Sequence, residues 1–467
     1  MSGAGARGAW PRPAVVLGVI LVVALVARLA AVAIDDNYVP AADALDYHRH
    51  AASIAAGEGY PQAIYGPPSG GESAFRPPGY PYLLGAVYAV AGGSDGAVDA
   101  LTPGAAEIDA FSSQWAAGRV ADALLGTLVV LLVFLIARRI WGTRVALAAA
   151  ALVAVFPPLV LLSTELLSET SFIALALGSI LAMLRFREDG LLRWALLAAL
   201  LAGLATLVRS NGIVLVALIA FGVWNGRSWR DGRAVGDAAV VLVVAALTLV
   251  PWSVRNAVET GHAVPLTTQL GWGMAGTYNT TSLEDSEPAP WRVPALVEPY
   301  QELFVVSGTD EPSIHSVLRE QATELALENP GYVAEALFWN TLRTFYLAPG
   351  GVYSSAGRVD QRGIGLQRSW VEPAALWAAL GLAMVGVVAL ARGPAARRGP
   401  LFMWLFPIAM IAVAVPLIGL PRYRAPADPF ILMLAGVGLI HLAARFRSAT
   451  FSTSAAGGQI ESTVAER

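Results

Sequence analysis

The chain has 467 residues, of which 56% are hydrophobic and only 14% are charged. Its formal net charge of −3 averages a basic face with an acidic one, so the total identifies no partner. The sequence contains no cysteine, which excludes disulfides, thiolate metal sites and thiol nucleophiles. It contains neither a nucleotide-binding P-loop nor a zinc motif, and only His48 and His50 are close in sequence. We expect no cofactor and no nucleic acid partner, while a divalent metal stays open.

The hydrophobic residues are concentrated in long apolar runs. A helix needs about 20 such residues to cross the ~30 Å hydrocarbon core of a bilayer. We therefore predict an all-α polytopic membrane protein with about ten transmembrane helices. The predicted spans are 14–34, 118–138, 143–162, 166–186, 191–208, 210–225, 236–254, 371–391, 400–418 and 425–446.

The connectors between these spans decide their orientation. Cytoplasmic loops of membrane proteins usually carry the excess of basic residues. If the short basic loops are cytoplasmic, both termini are cytoplasmic too, and the longest connections lie outside the plasma membrane. The four short basic loops are RRIWGTR (138–144), RFREDGLLR (185–193), NGRSWRDGR (225–233) and RGPAARR (392–398).

Two segments allow a different interpretation. PYLLGAVYAV (81–90) is apolar but too short to cross, so we place it as an interfacial helix within the first external loop. Counting it as a span would invert every later loop. Residues 14–30, followed by an A-x-A sequence, could be a signal peptide, but their length and the internal Arg28 favour an uncleaved first span.

Two long external segments interrupt the pattern of spans, and loops of such length usually carry function. The first covers residues 35–117. The second carries two amphipathic helices broken at Asn329-Pro330, which we interpret as a cap over the membrane domain. We divide the chain into four parts. They are an N-terminal transmembrane module (1–255), an external segment (256–370), C-terminal transmembrane helices (371–447) and a disordered cytoplasmic tail (448–467).

Acidic and aromatic residues cluster in the first external loop. The loop begins with a helical pattern that places Asp43, Asp46 and Tyr47 on one face. The RPPGYP sequence that follows is stiff, because its prolines fix φ and remove donors. It can therefore hold Arg76 and Tyr80 in defined positions over the membrane surface. A solvated acidic helix followed by a proline-rich turn is the alternative interpretation.

Positive charge also occurs at the predicted outer ends of the spans, where membrane proteins usually avoid it. A negatively charged group held at that surface would explain this distribution. Glu165 and Glu169 share a helix face at one of these ends and are expected to face a cavity or a partner. Exposed acids that suit the helix dipole are the alternative. The arginines are Arg209 in LVRSNGI, Arg255 beside Asn256 in PWSVRN, and Arg422 and Arg424 in LPRYRAP.

The ordered set of these motifs resembles the polytopic GT-C glycosyltransferases. The chain is most similar to bacterial glycosyltransferase family 39 and the RgtA/B/C/D-like group, which are relatives of protein O-mannosyltransferases and aminoarabinose transferases. The resemblance covers nearly the whole chain and indicates a superfamily rather than a substrate. Besides the Asp-x-x-x-Tyr helix and RPPGYPYLL, the motifs are LLSETSF, GLATLVRSNGI, PWSVRNAVETGHAVPLTTQLGW, ENPGYVAEALFWNTLRTFY and RYRAPADPFILMLAG.

The resemblance implies a set of roles for individual residues. It puts the catalytic acid at Asp43, four residues before Tyr47. Family members often have a second acid beside this position, but here the neighbour is alanine, and Asp46 is the nearest second carboxylate. The outer arginines match positions that face the lipid phosphate. We expect Arg76, held by the RPPGYP sequence, to bind the donor phosphate with them. Asp35 and Asp36 have no counterpart that the resemblance assigns.

The implied activity is transfer of a hexose or pentose from a polyprenyl-phosphate donor, with inversion at the anomeric carbon. A carboxylate would act as general base, and arginines would stabilise the charge on the phosphate leaving group. The acceptor would be a cell-wall glycan, a glycolipid or a protein. A transporter or flippase of lipid-linked sugars is the alternative. Such a protein should carry polar residues at the membrane midplane, where this chain has mostly Ala, Leu and Val.

Overall fold

Every regular element of the described chain is a helix. The computed structural model describes residues 12–35, 37–64, 66, 72–92, 105–224, 228, 230–298, 300–305, 309–348, 370–394 and 398–465. No strand occurs among these residues. The predicted all-α fold is therefore confirmed, and its long apolar helices make the chain a multi-pass membrane protein.

Ten apolar helical segments coincide with the ten predicted spans. Six are long and apolar enough to cross a membrane: Pro13–Ile34 (α1), Phe111–Trp141 within Ala105–Trp141 (α4), Glu169–Asp189 (α7), Gly232–Thr260 (α10), Val371–Arg392 (α15) and Asp428–Phe446 within Asp428–Ala465 (α17). Four are shorter: Thr143–Val155 (α5), Leu192–Val208 (α8), Ser210–Trp224, which includes Ile213–Trp224 (α9), and Leu401–Ala414 (α16). How many of the ten cross the bilayer stays a prediction.

The remaining helices lie in the connections between the apolar ones. They are Asp43–Ala56 (α2), Gly79–Gly92 (α3), Pro157–Leu162 (α6), Gln269–Thr277 (α11), Thr280–Leu283 (α12), Glu311–Glu328 (α13) and Pro330–Thr344 (α14), with 3-10 helices at Ser210–Gly212, Pro294–Leu296, Tyr300–Phe304 and Pro421–Arg424. The structure contains the predicted helix of the first loop, as α2, and the short apolar helix after it, as α3. The predicted break at Asn329-Pro330 is the boundary between α13 and α14. Gly57 ends α2 with a φ of +78°, a conformation that glycine adopts without steric cost.

The helices pack around two cores. The larger core joins α2, α3, α4, α5, α7, α8 and α9, with α4 in contact with α1, α5 and α7. The smaller core joins α11, α13 and α14, in the segment 256–370 that was predicted to be external. Because Tyr47 and Ala51 of α2 belong to the larger core, the connection between α1 and α4 is anchored directly on the apolar helices.

The break between α5 and α6 is supported by a buried charge from α1. Pro158 has no N–H to donate to the carbonyl of Ala154, which a continuous helix would require. Arg28 donates from Nη1 to that carbonyl at 3.2 Å and to the carbonyl of Ala24 at 2.9 Å. Gly126 makes room for it, since a Cβ there would lie 2.5 Å from the Arg28 Nε. Arg28 is thus 1% exposed on a helix that is otherwise mostly uncovered.

The C-terminal segment differs from the expectation. Helix α17 continues to Ala465, through most of the residues 448–467 that were expected to form a disordered tail. The predicted boundary at 370 falls next to residues 349–369, which lie outside the described part of the chain.

Candidate active site

Helix α2 brings the predicted acids to the surface of the larger core. Asp43 is its first residue, where a carboxylate interacts favourably with the positive end of the helix dipole. Asp46 and Tyr47 follow one turn later on the same face. Ala42, just before the helix, has a φ of +49°, which a residue with a Cβ rarely adopts. Strained backbone of this kind is concentrated at functional sites.

Arg76 joins the two acids of α2. Its Nη2 donates to Asp43 Oδ1 at 2.7 Å and its Nε donates to Asp46 Oδ2 at 2.5 Å. Its guanidinium lies 4.9 Å from the centre of the Tyr47 ring. The arginine is held close to this position by Gly79, because a Cβ there would lie 2.9 Å from the Leu207 carbonyl oxygen. Arg76, at the start of the RPPGY sequence, thus lies against α2.

Arg422 approaches Asp43 from the opposite end of the chain. Its Nη2 donates to Asp43 Oδ2, so each carboxylate oxygen of Asp43 receives one arginine. Its Nε lies 3.8 Å from Glu169 Oε1 and donates no hydrogen bond within the described part of the chain. Glu169 is also an ion-pair partner of Arg209, with 2.8 Å between Oε1 and Nη1. Six charged residues from α2, α7 and three connections thus form one cluster: Asp43, Asp46, Glu169, Arg76, Arg209 and Arg422.

Neutral side chains complete this cluster. Ser168 Oγ accepts hydrogen bonds from the Tyr47 hydroxyl at 3.0 Å and from Arg209 Nη1 at 3.1 Å. Tyr423 contacts two of the arginines, with its ring centre 5.1 Å from both the Arg209 and the Arg422 guanidinium carbon. One aromatic ring therefore interacts with both cations.

Asp43 and Asp46 differ in what surrounds them. The Asp46 side chain is 2% exposed, and its Oδ1 also accepts from the backbone N–H of Ile64 at 2.9 Å. The Asp43 side chain is 29% exposed. Burial would raise the pKa of Asp43, but the charges of Arg76 and Arg422 outweigh it and hold the pKa well below its ordinary range. Asp43 is therefore an accessible, ionised carboxylate, whereas Asp46 is enclosed by its donors.

Comparisons with known proteins bear on the fold of the chain. The sequence profile described as dolichyl-phosphate-mannose-protein mannosyltransferase matches residues 104–253. No curated protein matches the chain significantly in sequence. The oligosaccharyltransferase of Archaeoglobus fulgidus in its apo form superposes with a TM-score of 0.54 at 15% identity, over 96% of this chain and 52% of that one. The same organism's AglB, solved with an inhibitory peptide and a dolichol-phosphate, gives 0.53 at 15% identity over 95% and 52%.

The chain shares its fold with the oligosaccharyltransferase of Archaeoglobus fulgidus. At 15% identity the superposition establishes the fold alone, and the chain spans about half the length of the oligosaccharyltransferases it matches. The ArnT of Cupriavidus metallidurans bound to undecaprenyl phosphate is also similar, with a TM-score of 0.42, 16% identity and coverage of 91% of this chain and 77% of that one.

Two of the predicted phosphate-binding residues, Arg424 and Arg255, lie outside the cluster. Arg424 is 1% exposed, its Nε donates to Asp428 Oδ1 at 2.7 Å, and it also donates to the carbonyl of Thr344. Because its donors are used inside the protein, we no longer assign Arg424 to the donor phosphate. Arg255 pairs with Glu72 and donates to the carbonyl of Ser73 at 2.6 Å. It therefore fixes the segment before Arg76 and does not reach Asp43.

The other predicted site residues support the cluster from outside. Asn256 is fully buried and donates to the carbonyls of Val264 and Leu266 at 3.2 Å. Tyr80 packs edge-on against Tyr47 at 5.0 Å. Its hydroxyl donates to Asp122 Oδ2 at 2.6 Å.

The acids with no assigned role lie apart from the cluster. Asp35 Oδ2 accepts from Arg119 Nη2 at 2.8 Å, and both residues are buried. Glu165 is 4% exposed and lies near the same pair, since its charge raises the pKa of Tyr38, which burial already raises. Asp36 lies outside the described residues.

Sequence reasoning missed four residues around the cluster: Ser168, Tyr423, Asp122 and Glu311. Ser168 and Tyr423 lie inside motifs that were singled out, LLSETSF and LPRYRAP, so their sequence signal was present. Asp122 and Glu311 had no signal that distinguishes them from other acids near helix ends. Among the described residues, no group of three or more His, Asp or Glu side chains could hold a metal ion.

Proposed function

We propose that the protein is an integral membrane glycosyltransferase that transfers a sugar from a polyprenyl-phosphate donor to an acceptor outside the cytoplasm. One observation carries the proposal: an accessible carboxylate, Asp43, lies between two arginines, Arg76 and Arg422, at the end of a bundle of apolar helices. The donor has its lipid chain in the bilayer and its phosphate at the interface, where this cluster would meet it.

The arginines suit the donor phosphate. An arginine guanidinium is planar and donates paired hydrogen bonds to phosphate oxygens, and its charge persists at any physiological pH. Arg209 and Arg422 are 15% and 18% exposed, so both retain a surface that a ligand can reach. The solved oligosaccharyltransferase of the same fold binds a dolichol-phosphate, which supports a lipid phosphate as the ligand class.

The proposed reaction is one displacement. Asp43 accepts the proton of an acceptor hydroxyl while that oxygen bonds to the anomeric carbon of the sugar. The bond between the anomeric carbon and the phosphate oxygen breaks, and polyprenyl phosphate leaves with one additional negative charge. Arg76, Arg209 and Arg422 stabilise that charge. Because the acceptor enters opposite the leaving group, the anomeric configuration is inverted.

The contacts of Asp43 also suggest an order of binding. Each Asp43 oxygen accepts from one arginine, and both bonds reduce the basicity of the carboxylate towards an acceptor hydroxyl. A phosphate that attracts Arg422 would compete with Asp43 for the guanidinium and release Oδ2. We therefore expect the donor to bind first and the acceptor second. Asp46 keeps Arg76 in place during this exchange, and Glu169 does the same for Arg209.

The proposal includes a location. We place the protein in the plasma membrane, with both termini cytoplasmic and the site outside. Cysteine can be introduced at exposed Thr281 in the second external segment and at exposed Ser228 in a basic connector, since the chain has no cysteine of its own. An impermeant thiol reagent added to intact cells should label Thr281→Cys and leave Ser228→Cys unlabelled. Reversed labelling would put the site in the cytoplasm.

A donor panel tests the activity itself. Membranes with the protein are incubated with radiolabelled polyprenyl-phosphate mannose, arabinose or galacturonic acid, and label is followed into glycan, glycolipid and protein fractions. We expect transfer from one donor, with release of polyprenyl phosphate, and no transfer with Asp43→Asn in equal amount. If labelled donor crosses sealed vesicles intact and no label reaches an acceptor, the protein is a transporter and the proposal fails.

A further inference from the structure

A buried carboxylate from the second external segment accepts hydrogen bonds from the segment that precedes Arg76. Glu311, the first residue of α13, is 7% exposed. Its Oε2 accepts from the Ser73 hydroxyl at 2.6 Å. Its Oε1 accepts from the Ala74 backbone N–H and the Thr268 hydroxyl, both at 3.0 Å. All three donors are neutral, and none of the ion pairs within the described residues includes Glu311.

A buried carboxylate without a charged partner is unfavourable unless its hydrogen bonds keep good geometry. Burial raises the pKa of Glu311, while the hydrogen bonds from Ser73, Thr268 and Ala74 oppose that rise. A carboxylate taken out of water without a charged partner depends on its hydrogen bonds for compensation. Loss of any one donor therefore disfavours the arrangement, so the segment at Ser73 and Ala74 is held closely.

Further hydrogen bonds fix the backbone on both sides of Arg76. The Ala74 carbonyl accepts from the Thr268 N–H at 3.2 Å, and the Phe75 N–H donates to Ser73 Oγ at 2.9 Å. On the far side, the Tyr60 hydroxyl donates to the Arg76 carbonyl at 2.9 Å. The position of the Arg76 side chain between the acids of α2 thus depends on where α13 begins.

We propose that Glu311 is a positioning residue for the donor site: it ties the second external segment to Arg76 and sets the angle at which that arginine meets the donor phosphate. The inference rests on the proposed function. It assigns the second external segment a part in donor recognition, although none of its own side chains belongs to the charged cluster.

The test compares Glu311→Gln with the wild-type protein. Glutamine keeps the shape but removes the negative charge, so the bonds to Ser73, Ala74 and Thr268 are no longer charge-assisted. We expect a roughly tenfold increase in donor KM, the effect of one charge-assisted hydrogen bond, with a smaller change in kcat. In an Arg76→Gln background the same change should have no further effect, because the residue through which Glu311 acts is already removed. Additive effects, or an unchanged donor KM, would overturn the proposal.

A matched control and a second measurement separate this outcome from failure of the proposed function. Asp310→Asn changes the neighbouring, half-exposed acid, which caps α13 through the Ser313 N–H at 2.8 Å and does not touch the Arg76 segment. Asparagine caps equally well, so donor KM should not change. Hydrogen exchange at the amides of residues 73–76 should increase in Glu311→Gln and not in Asp310→Asn. Equal exchange in the wild type and Glu311→Gln would overturn the proposal whatever the reaction.

Discussion

The molecule contains two clusters of acids and arginines close to the ends of its apolar helices. They differ in how many of their hydrogen-bond donors have a partner within the protein. In one, Arg119 donates to the Thr164 carbonyl at 2.7 Å, to the Asp35 carbonyl at 2.9 Å and to Asp35 Oδ2 at 2.8 Å, with its guanidinium 4.3 Å from the Tyr38 ring centre. All three guanidinium nitrogens therefore have a partner within the protein.

The cluster around Asp43 is built from the same residue types but is not saturated. The Arg422 Nε donates no hydrogen bond within the described residues, and neither oxygen of Glu169 accepts one, although Arg209 lies at ion-pair distance. Asp43 is 29% exposed, whereas Asp35 is 7% exposed at its side chain. Saturated pairs stabilise a fold, and unsaturated, exposed ones remain available to a ligand. Charge alone does not separate the two cases, since both contain arginine paired with aspartate.

The strongest test of this distinction is Asp43→Asn. General-base catalysis contributes about 10²- to 10⁴-fold, so turnover should fall by at least that much, while the amide keeps the shape of the side chain and the fold survives. Initial rates at saturating donor and thermal unfolding in detergent are the measurements. Asp46→Asn is the control, with donor KM affected more than turnover because Asp46 holds Arg76. If Asp43→Asn kept the wild-type turnover and Asp46→Asn were inactive, the general base would be Asp46, one helical turn further along α2.

The saturated cluster should respond in stability. Arg119→Gln leaves Asp35 buried without its charged partner, and breaking a buried pair typically costs about 3–5 kcal/mol. We expect a lower unfolding temperature and an unchanged donor KM. Adding Asp35→Asn should restore part of the loss, since no unpaired charge then remains. A change in donor KM at unchanged stability would mean that this cluster also meets the ligand.

Arg422 and Arg424 allow the same comparison between an arginine that remains available to a ligand and one whose donors are used within the protein. Arg422→Gln should raise donor KM by roughly 10- to 100-fold, the effect of one charge-assisted hydrogen bond to phosphate, with partial rescue by lysine, which keeps the charge and loses the fork. Arg424→Gln should instead lower the unfolding temperature, because it leaves buried Asp428 unpaired. Both variants are assayed for donor KM and for thermal unfolding. If their effects were exchanged, the assignment of the exposed arginine to the ligand would be wrong.

The pH dependence of the same variant gives a smaller effect with a defined sign. In the wild type, two arginines hold the pKa of Asp43 below its ordinary range, so the base stays ionised as pH falls through the ordinary aspartate value. In Arg422→Gln one cation is absent, burial acts against a single arginine, and the pKa rises. The acid limb of the donor kcat/KM profile should therefore move to higher pH. An unchanged acid limb would indicate that Asp43 is not the group that titrates.

Tyr47→Phe should have the smallest effect. It removes the hydroxyl bond to Ser168 but keeps the ring under the Arg76 guanidinium, so a change of about 1 kcal/mol, or several-fold in kcat/KM, is expected. Tyr47→Ala removes the ring as well and should lose more. Equal losses in the two variants would place the whole role of Tyr47 in its hydroxyl.

The sequence predicted those parts of the site that depend on local spacing. The i, i+3 and i+4 pattern put Asp43, Asp46 and Tyr47 on one face, and the proline-rich turn indicated a fixed Arg76. The contact between Asp43 and Arg422 joins residues 379 positions apart, so no local pattern contains it. Arg422 and Arg424 have equal charge and nearly equal sequence context, and only the short 3-10 helix at Pro421–Arg424 directs one towards Asp43 and the other into the core.

The fold was predictable for a related reason. Apolar runs and helix breakers are local features, so the spans and the break at Asn329-Pro330 followed from them. The contacts of Glu311 did not. In sequence it is one more acid at a helix start, where the helix dipole alone accounts for it.

Arg28 imposes a constraint on the order in which this protein can be assembled. It lies six residues from the end of α1, about 9 Å along the helix axis, and its acceptor at Ala154 is synthesised 126 residues later. Until then a charge at that depth is unfavourable in hydrocarbon, and the long side chain can reach the headgroup region instead. We therefore expect α1 to enter the bilayer in a shallower or tilted position and to reach its final depth only when α5 and α6 arrive.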